Sequence, residues 1–269
     1  YKTVERNGLI WVYMGDPSKV PSLPDIEAAL LPAEQMEFNL SQRGCNWLQA
    51  LEADLDTSHV DFLHGGARTE RAYAADDPRR WGAINRSPEY EVKECDWGVM
   101  YGAFRPGGPG HTYWRVAQFL FPFWTITPSG RFGDHLYARA WVPMDDTHTL
   151  FVSMFKKGAY TAQRSRAAEG ISGASQNYPY LPNTTDWLGR WRLRANASND
   201  YELDREVQRT QTYTGIEGIV SQDHAITESI GAIAPRELEH LAPSDMMITR
   251  VRRLLVRAAQ DHAKDSTLP

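Results

Sequence analysis

Two cysteines, Cys45 and Cys95, are all that the 269 residues contain. Fifty positions apart, they offer no disulfide framework, which fits a reducing cytosol. Long hydrophobic runs are missing as well. The longest, Phe119-Leu120-Phe121-Pro122-Phe123-Trp124, holds a proline and falls far short of the ~20 apolar residues of a membrane span. Basic excess is missing too. Net charge is −5 and the pI about 5.9, with acids and bases interspersed, which excludes the basic patch that nucleic acid requires. There is no internal repeat. What remains is a chain that, at 42% apolar content, can bury one substantial core.

What the chain does have is a histidine pair in an unusual setting. The segment runs from Asn46-Trp47-Leu48-Gln49 through Asp56-Thr57-Ser58-His59 to His64-Gly65-Gly66. Trp47, Leu48, Leu51 and Leu55 follow helical spacing, and the glycine pair supplies a stop, predicting a helix over 46–64. Asp56 and His59 share a face of such a helix. His59 and His64 would stand about 140° apart on it. They meet only if the helix unwinds or ends near His64. Two imidazoles brought together by a broken helix point to a metal, and a metal needs at least one more ligand. The late chain offers Asp204, Glu206, Glu217, Asp223 and Glu228. Two histidines and one carboxylate with open positions form the facial arrangement of non-heme Fe(II) oxygen chemistry.

The rest of the chain reads as an α+β domain. Residues 1–15 have the pattern of a terminal strand, and 16–32, with four prolines, that of a linker. A strand is expected over 36–44, and a long polar loop over 65–88. Further strands are expected over 90–94, 99–104, 113–121, 135–142 and 149–155, forming an antiparallel meander. Residues 158–200 carry no clear pattern. Helical spacing returns over 213–263 with a break near Ala234-Pro235, and a last helix over 244–264 has Met247, Val251, Leu254, Leu255 and Ala258 on one side. Helices before and after a run of strands imply a sheet with helices on one face.

Four blocks in order resemble the catalytic domain of Rieske non-heme iron oxygenase large subunits, in their phthalate dioxygenase-like group. They are Asn7-Gly8-Leu9-Ile10-Trp11-Val12-Tyr13-Met14-Gly15, the Asp56-x-x-His59-x4-His64 core, Trp141-Val142-Pro143-Met144-Asp145-Asp146, and Gln222-Asp223 through Leu241. The resemblance implies a curved antiparallel sheet gripping a C-terminal helix, as in START domains. It implies mononuclear Fe(II) on His59, His64 and Asp223, an aromatic substrate with O2, and a reductase or ferredoxin. Asp56 would bridge His59 to a cluster ligand of the neighbouring subunit in a cytoplasmic homotrimer.

The family's 2Fe-2S cluster sits on Cys-x-His and Cys-x-x-His motifs. Here Cys45 precedes Asn46-Trp47 and Cys95 precedes Asp96-Trp97, so neither motif exists. The expectation is therefore that residues 1–32 are the tail of a missing Rieske domain with its linker, and that 33–269 form the catalytic iron-binding domain. The lack of a starting Met and of a signal peptide agrees with a fragment.

Two other functions fit the same residues. One is a zinc hydrolase on His59, His64 and Asp223, weakened because no Glu accompanies the pair as in His-Glu-x-x-His. The other is a START-like module holding an apolar ligand without metal. Arg115 and Arg139, on expected strands, are candidates to hold a substrate carboxylate, subject to strand register. Asn46 and Gln49 are candidate supports of the ligands. Phe119, Phe121, Phe123, Trp124 and Trp141 are candidates for the pocket wall or the core. Histidines 111, 135, 148, 224, 240 and 262 are expected in loops, turns or exposed helix, and Asp145-Asp146 in a turn.

Overall fold

The computed structural model describes residues 1–66, 69–128, 136–158 and 179–265. The chain opens with a hairpin of β1 (Lys2–Arg6) and β2 (Leu9–Tyr13) where one strand was expected. Asn7 and Gly8 at its tip have φ of 56° and 77°, the left-handed pair of a type I′ turn. A seven-stranded antiparallel sheet follows. Its members are β3 (Met36–Arg43), β4 (Glu89–Cys95), β5 (Gly98–Pro106), β6 (Thr112–Leu120), β7 (Trp124–Ile126), β8 (Tyr137–Pro143) and β9 (Thr149–Lys156). Their order is β3-β9-β8-β7-β6-β5-β4. Only β7 escaped the sequence, three residues being too few to show alternation.

Helices α1 (Trp47–Leu55) and α5 (Met246–Asp265) both pack on one face of this sheet. Alternation along β5 puts Val99, Tyr101, Ala103 and Arg105 on that face, all buried. There Leu51 and Leu55 of α1, and Met247 and Val251 of α5, close a core with Val99, Tyr101, Phe119, Trp141 and Phe151. Asp54 fastens α1 to the strands, accepting from Thr125 Oγ1 at 2.7 Å, Arg139 Nη1 at 2.5 Å and Trp141 Nε1 at 2.9 Å. Phe119, Trp141 and Trp124 are thus plain core.

The second face of the sheet is covered over Trp124, Ala138, Ala140, Val152 and Met154. Ile26, Ala28, Ala29, Leu9 and Trp11 cover it, and Trp11 stacks on Trp124 at 5.7 Å. Within the expected tail and linker, Leu9, Trp11 and residues 26–31 thus pack onto the sheet, while 14–22 are exposed. The expected loop at 65–88 contains a short helix, α2 (Arg80–Ile84); its residues 67 and 68 lie outside the described set, as do His135 and most of 158–178. The helical stretch expected over 213–263 is two helices, α4 (Ile219–Ser229) and α5, after a short α3 (Arg205–Thr210). No helix among the described residues is long and apolar enough to cross a membrane.

Candidate metal centre

The predicted helix over 46–64 is two pieces, and the break makes the site. Asn46 starts α1, its side chain accepting from Leu48 N–H at 3.0 Å. The helix ends at Asp56, which is extended (φ −88°, ψ 107°). The Asp56 carboxylate then caps the next turn, accepting the Ser58 N–H at 2.7 Å and the His59 N–H at 3.2 Å. That turn, Val60–His64, is a π turn in which Gly65 N–H reaches back to Val60 C=O at 2.9 Å. Bonding five residues back stacks residues five apart near one face, where an α-helix would separate them. His59 and His64 consequently meet, with ring centroids 5.0 Å apart.

Asp223 arrives from α4. Its Oδ1 lies 3.1 Å from His64 Nε2 and 3.8 Å from His59 Nε2. The three donor atoms fall within 4.8 Å of one another, and His59, His64 and Asp223 are the one group of this kind among the described residues. Two ligands about 2.1 Å from a shared ion stand at most about 4.2 Å apart. The site is therefore close to its binding dimensions.

The other side of each ring decides its chemistry. His64 Nδ1 lies 2.7 Å from Gln222 Oε1, whose amide nitrogen is spent on Ile216 C=O at 2.9 Å. His59 Nδ1 lies 2.6 Å from Asp56 C=O. Both partners only accept, so both Nδ1 atoms carry the proton, and in the neutral rings both Nε2 lone pairs face the carboxylate. Asp223 Oδ1 is buried and has no aligned hydrogen-bond donor. Three lone-pair donors turned on one another in a partly buried space are satisfied by a cation. The donor set, two imidazoles and a carboxylate, fits Fe(II).

Protons compete with a cation for these lone pairs, and with the rings protonated the same groups hold one another as ion pairs. Burial opposes charge on Asp223, yet His64, His59 and Arg43 hold its carboxyl well below the usual range. Burial lowers the His59 pKa, but Asp56 and Asp223 outweigh it, leaving a net rise.

Several supports were invisible in the sequence. Gln222 reaches His64 across 158 positions of sequence. Arg43 of β3 is buried, lies 4.6 Å over the Trp141 ring and donates to Thr227 Oγ1 at 3.0 Å. Gln49, the other candidate support, hydrogen-bonds to none of His59, His64 and Asp223. It donates to Thr227 C=O and Gly231 C=O at 2.8 and 2.7 Å and accepts the Ala234 N–H at 2.7 Å, tying α1 to α4. Asn46 donates to Asp146 C=O, away from the metal ligands.

Asp56 meets His59 with two groups: its main-chain carbonyl lies 2.6 Å from Nδ1, and its carboxylate Oδ2 stands 3.5 Å from the same atom. His224, expected in a loop, turn or exposed helix, is 2% exposed and faces Glu228 and Ser41. Among the rival acids, Asp204 caps α3, and Glu228 accepts from Tyr201 and Gly44. Asp145 accepts the Thr147 N–H in the expected turn.

A groove of about 350 Å³ opens beside the site, lined among others by Asp56, His59, Asp223, Ile226, Ile230 and Leu238. Ile226, Ile230 and Leu238 are exposed there.

The family model described as "LigXa C-terminal domain like" matches residues 12–268. The oxygenase subunit of 3-chlorobenzoate-3,4-dioxygenase from Comamonas testosteroni is 40% identical over 275 residues, covering 100% of this chain and 63% of that protein. The oxygenase subunit of phthalate 4,5-dioxygenase from Pseudomonas putida is 28% identical over 278 residues, covering 96% and 58%. The chain thus spans about three fifths of the length of these curated relatives. Among solved structures, dicamba monooxygenase bound to dicamba shares the fold, with a TM-score of 0.55 at 18% identity over 97% of this chain and 70% of that one.

Proposed function

The chain belongs to the LigXa C-terminal domain like family, and from that premise we propose that it is the iron-binding catalytic part of an aromatic-ring oxygenase component. The observation that carries this is the convergence of His59 Nε2, His64 Nε2 and Asp223 Oδ1 with both Nδ1 atoms tied back to acceptors. Ferrous iron bound there would supply the redox chemistry toward O2 that no side chain provides. The protein's own part is to hold the ligands. Asp56 C=O and Gln222 Oε1 fix the tautomer and tilt of the two imidazoles, as outer partners of metal ligands do.

Electrons would come from a Rieske 2Fe-2S cluster fed by a reductase or ferredoxin. With neither cluster motif among the 269 residues, that cluster belongs to a segment or subunit outside them. The exposed isoleucines and Leu238 around Asp56 form an apolar surface of the kind that a partner covers. On this reading it receives the cluster-bearing domain of a like subunit in a closed, trimeric ring.

The substrate class we propose is an aromatic carboxylate, as in the names of the benzoate and phthalate relatives. Arg115 pairs across the strands with buried Ala103 and so lies on the helix-covered face. Arg139, the other candidate, is spent on Asp54. Arg115 donates Nη2 to Pro128 C=O, and its buried Nε has no partner, leaving a donor for the substrate's carboxylate.

Metal analysis tests the reading. The purified chain is expected to bind one Fe(II), and His64→Ala and Asp223→Ala to weaken that binding more than tenfold while keeping the fold. Undiminished iron binding by both variants would overturn it.

A further inference from the structure

A π turn is a rare conformation that surrounding contacts must hold. Asp61 lies in this one, between the two histidines, and its carboxylate leaves the turn toward the sheet. Oδ2 accepts from Arg105 Nη1 of β5 at 2.7 Å, and the same Nη1 donates to Asn85 C=O, just past α2, at 2.6 Å. The Arg105 side chain is completely buried and that of Asp61 is 13% exposed. Arg105 Nε and Nη2 have no partners, and no second carboxylate pairs with it among the described residues. Loss of Asp61 would leave a buried cation unpaired.

The third wall is a glycine. A Cβ at Gly82 of α2 would lie 2.5 Å from Asp61 Oδ1 and 3.0 Å from its Cγ. The carboxylate fits because position 82 has no side chain. The π turn, α2 and β5 therefore meet on one carboxylate, two residues from His59 and three from His64.

We infer that the Arg105–Asp61 ion pair, cradled at Gly82, is a positioning device that sets the π turn and so aims His59 and His64 at one point. The inference rests on the proposed metal site. The pair touches neither the metal nor the substrate; it acts through the two ligands.

Three variants test it: Asp61→Asn, the double variant Asp61→Asn/Arg105→Met, and Gly82→Ala. The first leaves the buried cation unpaired and lowers stability. The second removes both charges and restores the melting temperature. The third alters no charge and only crowds the carboxylate. Fe(II) affinity is measured by titration, and ligand geometry by the visible bands of Co(II) as a probe metal.

The expected result is a loss of at least tenfold in Fe(II) affinity and altered Co(II) bands in both the double variant and Gly82→Ala, with the melting temperature of the double variant near that of the unaltered chain. Should Asp61→Asn fail to fold, the other two decide. Wild-type affinity and an unchanged Co(II) spectrum in both would show the pair to be ordinary packing and overturn the inference. An unaltered chain that binds neither metal would instead sink the metal-site reading on which it rests.

Discussion

Glu228 shows how one buried residue sets a pH limit. Its carboxylate accepts the Gly44 N–H at 2.8 Å and the Tyr201 hydroxyl at 2.6 Å, and faces His224 Nδ1 at 3.6 Å. Burial alone would raise its pKa; the contacts with His224, Tyr201 and Gly44 pull it down to about 2, against an ordinary 4.5. A depressed carboxyl stabilises the fold fully above its unfolded value and loses that contribution as pH falls from 4.5 toward 2. Glu228→Gln is therefore expected to be less stable near neutrality but to lose less stability across that acid window. Urea midpoints measured from pH 6 to pH 2 check this, and parallel curves for variant and wild type would refute it.

At this scale the candidate ligands could be named from the sequence, and the residues that surround them could not. His59 and His64 stand five apart in one segment, whereas Gln222, Arg43 and Arg105 act on residues 158, 184 and 44 positions away. Such contacts are fixed by packing and strand register, which composition and spacing do not specify.

Among the elements, sheet strands were the easiest to read, because six of the seven carry long β-rich runs bounded by turn residues. The hairpin at the start turns on Asn7-Gly8, but Lys2–Arg6 before it holds one apolar residue, so only Leu9–Tyr13 stands out as strand. The break at Asp56 was harder. Asp56-Thr57-Ser58 continues a helical spacing as well as it caps a new turn, and only the need for two converging imidazoles hinted at the interruption.

The joint between α1 and α4 is held by Gln49, whose three hydrogen bonds all go to main-chain atoms. Gln49→Ala would leave Thr227 C=O, Gly231 C=O and Ala234 N–H without that partner. The expected destabilisation is about 2–3 kcal/mol, from unsatisfied buried polar groups. Chemical denaturation measures it, and a loss below about 0.5 kcal/mol would mean that water replaces the amide.

For the molecule as a whole, the surface around Asp56 matters most. With His59 held by a main-chain carbonyl, Asp56→Asn is expected to keep iron bound while reducing oxygenation by more than tenfold in an assembly that includes a Rieske protein, since it removes the charge that the proposed function turns toward that protein. Iron content and single-turnover rate, measured on the same sample, separate the two effects. Near-normal turnover would reduce Asp56 to a turn-capping acid. The chain alone, supplied with a reductase but no Rieske protein, is expected to sustain no NAD(P)H-driven turnover in the same assay.

Arrangement along the chain has one more consequence. Positions 64 and 223 are 159 residues apart, yet their donor atoms are 3.1 Å from each other. An ion shared between them acts as a cross-link, and the loop that it closes spans most of the sheet. Held by the folded chain and released by the unfolded one, such an ion would stabilise the fold by mass action, by about 2.7 kcal/mol at a hundredfold excess over its dissociation constant. A fold with only two distant cysteines would thus carry its staple in the same atoms that carry its chemistry. Losing the metal would cost rigidity at α4 as well as reactivity.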